Sequence, residues 1–371
     1  MNIAFDAKRA FHNTRGLGNY SRDTIRLLSS YFPENSLLLF NPSSKKRVDF
    51  PLAKNVQEFQ PQSLLGKKFP AIWRSYGMCQ QIKSLKPDLF HGLSQELPFG
   101  IKKTGVKSVV TMHDAIFMRY PELYSSVYRS TFIIKNKYAC KEADRIIAIS
   151  EMTKLDLIEY FHADEKKIDV VYQGCNALFR QPVSTIIKKE IQKKYNLPEM
   201  FLLSVGAIEK RKNTALIIEA LHQFHLDVPL VIIGKPTIYM NELLTIIQKY
   251  NMEKQVIFVH DVETVDLPAI YTMAEIFIYP SIFEGFGIPV LEALCSGTPV
   301  IASKGSCFEE TGGPYSKYIN PSDAGELGYT ISQILSDNEM KSCMKKEGLI
   351  FSEKFTDDKI ANQLMKVYQS I

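Results

Sequence analysis

Short apolar runs recur along the chain, each followed by a stretch whose apolar positions repeat with helical spacing. In the first half the runs are NIAFD (2 to 6), LLLF (37 to 40), DLFHG (88 to 92), SVVTMHD (108 to 114), RIIAIS (145 to 150) and IDVVY (168 to 172). Between them, segments such as NYSRDTIRLLSSYF and SEMTKLDLIEYF carry the 3.6-residue period of amphipathic helices. Strands alternating with helices predict βαβ units and a parallel sheet. The same rhythm restarts at FLLSVG (201 to 206) and continues through PLVIIG (229 to 234), QVIFV (255 to 259), EIFIYP (275 to 280) and TPVIAS (298 to 303). The intervening stretch 176 to 200 is polar, bracketed by prolines and without a strand pattern, so it reads as a linker with a domain boundary near 180. From about Asp323 to Ile371 the pattern is helical throughout. The organisation expected is two doubly wound α/β domains, 1 to 180 and 181 to 355, with a terminal helix at 356 to 371 packing back on the first.

One segment departs from plain strand and helix patterning. In EGFGIPVLEAL, residues 284 to 294, Glu284 and Glu292 stand eight positions apart, with Gly285 and Gly287 between them and Pro289 where a helix would begin. Glycine lets the backbone turn tightly and approach a ligand, and proline favours the first helical turn, so a helix is predicted from about Ile288 to Ser296. Its N-terminal N–H groups and positive dipole end would suit a phosphate. The preceding run, IFIYP, is almost wholly apolar, as a central parallel strand is, and loops at the carboxyl ends of such strands are where α/β sheets bind ligands.

Composition narrows the function classes. The 371 residues, 45 % hydrophobic and 23 % charged, are ordinary for a globular protein with two cores. Six scattered cysteines (Cys79, Cys140, Cys175, Cys295, Cys307, Cys343) form neither a CxxC pair nor a zinc pattern and read as reduced thiols. The opening MNIAFDAKRAF lacks the layout of a secretory signal and no later run is long enough to span a bilayer, which points to the cytoplasm. The net charge of +5 hides an asymmetry. Residues 1 to 180 hold 27 Lys/Arg against 17 Asp/Glu, and the remainder holds 18 against 23. A basic first half, with cations interleaved among apolar residues in GKKFPAIWRSYGM (66 to 78) and YRSTFIIKNKYACK (128 to 141), suits an anionic membrane surface or a lipid-linked anionic substrate. Solvated helix faces would look similar, and no nucleic-acid-binding motif accompanies the charge.

EGFGIPVLEAL, taken with SVGAIEKRKN (204 to 213) and RGLGNY (15 to 20), resembles the retaining glycosyltransferases of the GT-B fold, and more narrowly glycosyltransferase family four. The resemblance runs in order over the whole chain. It implies two Rossmann-like domains facing across a cleft, the first binding the acceptor and the second a nucleotide sugar. Glu284 then matches the glutamate that contacts the donor sugar, and Glu292 the one that holds the ribose, a task suited to an ionised carboxylate. The backbone at Gly285, Phe286, Gly287 and Ile288 would meet sugar and phosphate oxygens. Arg211 and Lys212 match the basic pair that neutralises the departing diphosphate, so no metal is required, and no DxD triplet appears. Many relatives carry an arginine after the glycine equivalent to Gly206, where this chain has Ala207, so the charge falls to Arg211, Lys212 and Lys210. Glu310 matches a further donor-side glutamate, although the proline that usually precedes it is Glu309 here.

In the first domain, Gly16, Leu17 and Gly18 would form a turn after the first strand, letting the backbone approach the diphosphate. His113, with Asp114, ends a strand and matches the family histidine beside the reacting sugar; His91, Ser150 and Glu151 read first as structural. The resemblance also implies front-face substitution, in which the leaving diphosphate takes the acceptor proton, in place of the double displacement common among retaining glycosidases. The expected partners are a nucleotide sugar, GDP-mannose ahead of UDP-sugars, and a glycan or lipid-linked glycan acceptor in surface polysaccharide assembly, with no further cofactor. Two other readings share the sheets. A non-catalytic GT-B partner subunit is disfavoured by the intact Glu284, Glu292 and Lys212, and a nicotinamide-dependent oxidoreductase by the lack of a GxGxxG fingerprint.

Overall fold

A computed structural model describes every residue except Lys46. The chain divides into two compact units, Met1–Gln173 with Asp357–Ile371, and Gly174–Thr356. Among the described residues, the first unit is built on a seven-stranded sheet of β1 (Asn2–Asp6), β2 (Ser36–Phe40), β3 (Val56–Phe59), β4 (Leu89–Gly92), β5 (Lys107–Met112), β6 (Arg145–Ala148) and β7 (Ile168–Val170). Their spatial order is β3-β2-β1-β4-β5-β6-β7, and every pairing is parallel. The second unit repeats the design with β8 (Leu202–Val205), β9 (Leu230–Ile233), β10 (Val256–Val259), β11 (Ile276–Tyr279), β12 (Val300–Ser303) and β13 (Lys317–Ile319), in the order β10-β9-β8-β11-β12-β13.

The central strands are buried along their whole length, as at β4, β9, β11 and β12, because helices cover both faces of a parallel sheet. The edge strands β3 and β13 have half-exposed positions and read VQEF and KYI, too polar for an apolar-run search to find. A second departure concerns 174 to 200. The expected linker contains a helix at Thr185–Lys194, and Phe179, Ile191 and Leu197 are buried. Phe179 packs edge-on against Tyr271, so this stretch belongs to the second unit and the first unit ends at Gln173, seven residues before the expected boundary.

The final helix, Asp357–Gln369, belongs to the first unit. It buries Ile360, Ala361, Leu364, Met365, Val367 and Tyr368 at the i, i+4, i+7 spacing of one face. The Tyr368 hydroxyl meets His91 Nδ1 at 2.7 Å, and Asp357 pairs with Arg26 at 2.8 Å. Beside the carboxyl end of β1, Arg74 is buried against Asp6 (2.6 Å) and Glu96 (2.7 Å), and Lys135 adds a second cation on Glu96 at 2.8 Å. Arg74 sits in a π-helical turn, Trp73–Gly77, which aims its side chain inward. Buried charges of both signs satisfied this way hold the loops after β1 and β4 in one arrangement.

Candidate functional site

In each sheet the strand order reverses once, between β1 and β4 and between β8 and β11. Chains leaving the two strands on either side of such a point run to opposite faces and open a crevice at their carboxyl ends, where α/β folds bind ligands. In the second unit β8 leads through Gly206 and Ala207 to a 3-10 turn at Lys210–Lys212, and β11 leads through Ser281 to Glu284. Arg211, Lys212 and Glu284 therefore meet at this reversal, although 72 residues separate Lys212 from Glu284.

One oxygen, Glu284 Oε1, gathers four donors: Lys212 Nζ at 2.5 Å, Arg211 Nη1 at 2.6 Å, the Ser281 hydroxyl at 2.7 Å and the Tyr279 hydroxyl at 3.2 Å. The carboxylate is largely buried, with 13 % of its side chain exposed. Burial alone would push its pKa up; the Lys212 and Arg211 charges outweigh that and bring it down to about 2. Glu284 is thus ionised throughout the neutral range. Arg211 also donates to the Phe283 carbonyl (2.6 Å) and to Glu209 (2.7 Å), while Lys212 also bonds the Tyr279 hydroxyl. Glu284, Arg211 and Lys212 together carry one net positive charge.

The loop that presents Glu284 is fixed along its backbone. Ile282 N–H donates to the Arg211 carbonyl at 2.8 Å, tying the loops after β8 and β11 together. The Ser306 hydroxyl accepts from Glu284 N–H (3.1 Å) and donates to its carbonyl (3.2 Å), and the Thr311 hydroxyl bonds the Phe286 carbonyl. Gly287, at φ +87°, caps the helix Ile288–Cys295, and a Cβ there would press on the Phe308 ring at 3.1 Å. Phe286 turns its ring into the core against Phe355, so only its backbone faces the loop. Gly206, at φ +150°, lies beside Lys212, and Gly234 approaches it so closely that a Cβ on Gly234 would fall 1.8 Å from the Gly206 carbonyl.

Glu292 lies further along the helix, away from the Glu284 cluster. Its Oε2 accepts from the Tyr271 hydroxyl at 3.0 Å, and burial pushes its pKa up to about 7. Among the described residues its hydrogen-bond donor is the neutral Tyr271 hydroxyl, which offsets only part of the cost of burial, so the Glu292 carboxyl changes charge near neutrality. Glu310 sits half-buried on the short helix Phe308–Gly312 while Glu309 is exposed. Tyr279, Ser281, Tyr271 and Ser306 were not singled out from the sequence. Tyr279 had a signal, a hydroxyl at the last position of an apolar strand running into the glutamate loop.

In the first unit, Gly16, Leu17 and Gly18 do not form a turn. A short helix, Lys8–His12, follows β1, and Gly16 opens the helix Gly16–Tyr31. Gly18 is needed where it stands, because a Cβ would fall 1.9 Å from the Asn13 carbonyl, whereas Gly16 has open space. His113 is buried, donates from Nε2 to the Leu93 carbonyl (2.9 Å) and lies edge-on to Tyr20. Burial pushes its pKa down to about 4, so the ring is neutral at pH 7. His91 is a core residue satisfied by Tyr368 and Thr111, and Ser150 caps the helix Glu151–Phe161. The basic segment near 66 to 78 presents Leu64 (84 % exposed), Leu65, Phe69, Ile72 and Tyr76 to solvent beside Lys67 and Lys68. Among the described residues, no helix is long and apolar enough to cross a membrane, and no group of three or more His, Cys, Asp or Glu side chains is arranged to hold a metal ion.

Residues 187 to 351 match the family model "Glycosyl transferases group 1", and residues 37 to 177 match "Glycosyltransferase Family 4". The chain is a glycosyltransferase of this family. It is 24 % identical to the O-antigen chain mannosyltransferase B of Escherichia coli, over the full length of both chains. It is 29 % identical to the O-antigen chain mannosyltransferase RfbU of Salmonella typhimurium, over 58 % of this chain and 57 % of that one. Among solved structures, Anabaena Alr3699/HepE in complex with UDP superposes with a TM-score of 0.77 at 19 % identity, covering all of both chains. The fold is therefore GT-B, two Rossmann-like units with a helical C-terminus.

The Glu292 environment predicts a pH signature for this glycosyltransferase. If Glu292 accepts ligand hydroxyls as the carboxylate, nucleotide binding strengthens as pH rises through about 7 and levels off above it. Below 7 it weakens with the ionised fraction, at most about tenfold per pH unit, until it reaches the affinity of the neutral form. Calorimetric titration between pH 5.5 and 8.5 checks this; a Glu292→Gln variant should bind more weakly at pH 8 and lose the slope, and a wild-type affinity flat across that range contradicts it.

Proposed function

We propose that this glycosyltransferase moves a hexosyl group, with retention at the anomeric carbon, from a nucleotide-diphosphate sugar to a growing glycan. The observation that carries the reading is the meeting of Arg211, Lys212 and Glu284 at the strand reversal of the second unit. Two half-buried cations there suit the charge that grows on a leaving diphosphate, and Glu284 suits the hydroxyls of the transferred sugar. Glu292 is assigned to the ribose, and the backbone from Gly285 to Ile288 to sugar and phosphate oxygens. Glu310 and Gly206 are assigned to the donor side, Gly16 and Gly18, at the start of the helix Gly16–Tyr31, to the diphosphate, and His113 to the reacting sugar.

In the reaction proposed, the acceptor hydroxyl attacks the anomeric carbon from the face the diphosphate is leaving. The bond from that carbon to the phosphate oxygen breaks, its electron pair goes to the diphosphate, and the diphosphate takes the hydroxyl proton. Glu284 is assigned to positioning: two cations and two hydroxyls on Oε1 draw charge from the carboxylate as a whole, which lowers its nucleophilicity. Arg211 and Lys212 supply the charge neutralisation for which other transferases use a metal ion.

The donor favoured is GDP-mannose, ahead of UDP-sugars, on the strength of the mannosyltransferase relatives; the UDP bound by HepE keeps the second donor class open to test. The same relatives carry O-antigen names, which supports an acceptor belonging to a surface polysaccharide, a lipid-linked glycan at the inner face of the cytoplasmic membrane. Exposed Leu64, Leu65, Phe69 and Ile72 flanked by Lys67 and Lys68 suit peripheral contact with that surface.

Two measurements test these assignments. With a panel of nucleotide sugars, Lys212→Ala should lower kcat by on the order of 10²-fold or more, as loss of a transition-state charge partner does, while Glu284→Gln retains measurable turnover. A glycosyl group trapped covalently on Glu284 refutes the front-face route. In vesicle co-sedimentation, the wild-type chain should pellet with anionic and not with neutral lipid, and Leu64→Ser/Phe69→Ser should abolish pelleting. Indifference to lipid charge removes the membrane assignment.

A further inference from the structure

Tyr279 is the last residue of β11, and its ring is held by apolar packing before its hydroxyl meets any charge. The residue is only 2 % exposed, and β11 brings it into register with Ala302 of β12. Phe277 stacks on it at 5.7 Å between centroids and 23° between planes, and Phe308 meets it edge-on at 5.7 Å and 87°. Packing of this kind asks for an aromatic ring, which phenylalanine would supply as well. The buried hydroxyl has a separate task.

That hydroxyl joins two charged partners: it donates to Glu284 Oε1 at 3.2 Å and accepts from Lys212 Nζ. Burial first, and the Glu284 charge second, push the Tyr279 pKa well above its usual value, so the phenol keeps the proton it donates. Lys212 runs alongside the ring. Its Nζ lies 4.8 Å from the ring centroid, and a Cβ on Gly206 would meet Lys212 Cε at 3.6 Å and Tyr279 Cε2 at 3.8 Å. A lysine ammonium on its four-carbon stem is a mobile point charge with three donors. Glu284 alone would hold it loosely, because Arg211 contacts the same oxygen. With one N–H on Glu284 and one on Tyr279, the tetrahedral nitrogen has the direction of its third N–H set. Among the described residues that third N–H meets no acceptor.

We propose that Tyr279 is a positioning residue of the transferase, its hydroxyl holding the Lys212 ammonium so that the third N–H is presented to the β-phosphate of the leaving diphosphate. The proposal rests on the transferase reading above and adds to it a residue that acts through Lys212. A cation ordered before the ligand arrives loses little freedom on binding, and its N–H is in place as charge builds on the departing phosphate. Arg211 needs no such help, because its planar guanidinium is already held by Glu284, Glu209 and the Phe283 carbonyl. Loss of the Tyr279 hydroxyl is therefore felt at the phosphate that separates a diphosphate from a monophosphate, and only while Lys212 is present.

A double-mutant cycle on nucleotide binding tests it. GDP, UDP and the matching monophosphates are titrated by calorimetry at pH 8 into the full wild-type chain, Tyr279→Phe, Lys212→Ala and the double variant. Tyr279→Phe keeps the ring and its packing, and Arg211 remains to pair with Glu284 in every variant. Loss of the hydroxyl should weaken diphosphate binding on the order of fivefold, leave monophosphate binding unchanged, and add nothing once Lys212 is alanine. A residue serving the fold alone would weaken both nucleotides alike, with or without Lys212. Either of those results, or an unchanged diphosphate affinity in Tyr279→Phe, overturns the proposal. Diphosphate binding that depends on Lys212 and ignores Tyr279 overturns the proposal alone; a wild-type chain that binds neither diphosphate overturns the transferase reading with it.

Discussion

The second unit depends on one carboxylate oxygen. Glu284 Oε1 is where the loop after β8, carrying Arg211 and Lys212, is joined to the end of β11, carrying Tyr279, Ser281 and Glu284 itself. Two cations and two hydroxyls converge on a site that excludes most water, so each is worth more than on the surface, and each would be expensive to leave unpaired. The backbone bonds from Ile282 to Arg211 and from Ser306 to both sides of Glu284 follow the same logic, fixing the chain so that the charges need not search for one another. Lys212 spends two of its three N–H groups inside the cluster, which holds both cations in place. A donor diphosphate would meet cations already ordered, which is the condition for electrostatic stabilisation without reorganisation.

Topology explains why the chemistry gathers there. A parallel sheet whose order reverses at one point offers a single natural crevice, and both sheets in this chain reverse at equivalent strands. The second unit fills that crevice with charge. The first lines it with tyrosines, an orphaned serine hydroxyl and a balanced Arg9 and Asp114, held beside the buried Asp6, Arg74, Glu96 and Lys135 network. The difference lies in what each crevice contains: fixed cations in the second, which suit a diphosphate, and an aromatic wall in the first.

Much of this was legible in the sequence because buried parallel strands read as apolar runs, and eleven of them led to both sheets. Polar edge strands, at Val56–Phe59 and Lys317–Ile319, carry no such signal. Proline and charge around 176 to 200 resembled a linker because a helix that buries only Ile191 along its length looks polar in one dimension. Glu284, Arg211 and Lys212 stood out by motif, but Tyr279 and Ser281 acquire meaning only once β8 lies against β11. The titration of Glu292 was not legible for a related reason: a pKa is set by burial and neighbours, and no spacing rule announces that its one described hydrogen-bond donor is a neutral tyrosine.

The central claim is that Arg211 and Lys212 are held in place for a diphosphate. The most direct measurement compares the affinity of the wild-type chain for a nucleoside diphosphate and for the matching monophosphate, by calorimetry at pH 8, and repeats it with Lys212→Ala. The account predicts that the diphosphate binds at least tenfold more tightly and that Lys212→Ala removes most of that preference; equal affinities in the wild-type protein, or a preference that survives the substitution, would contradict it.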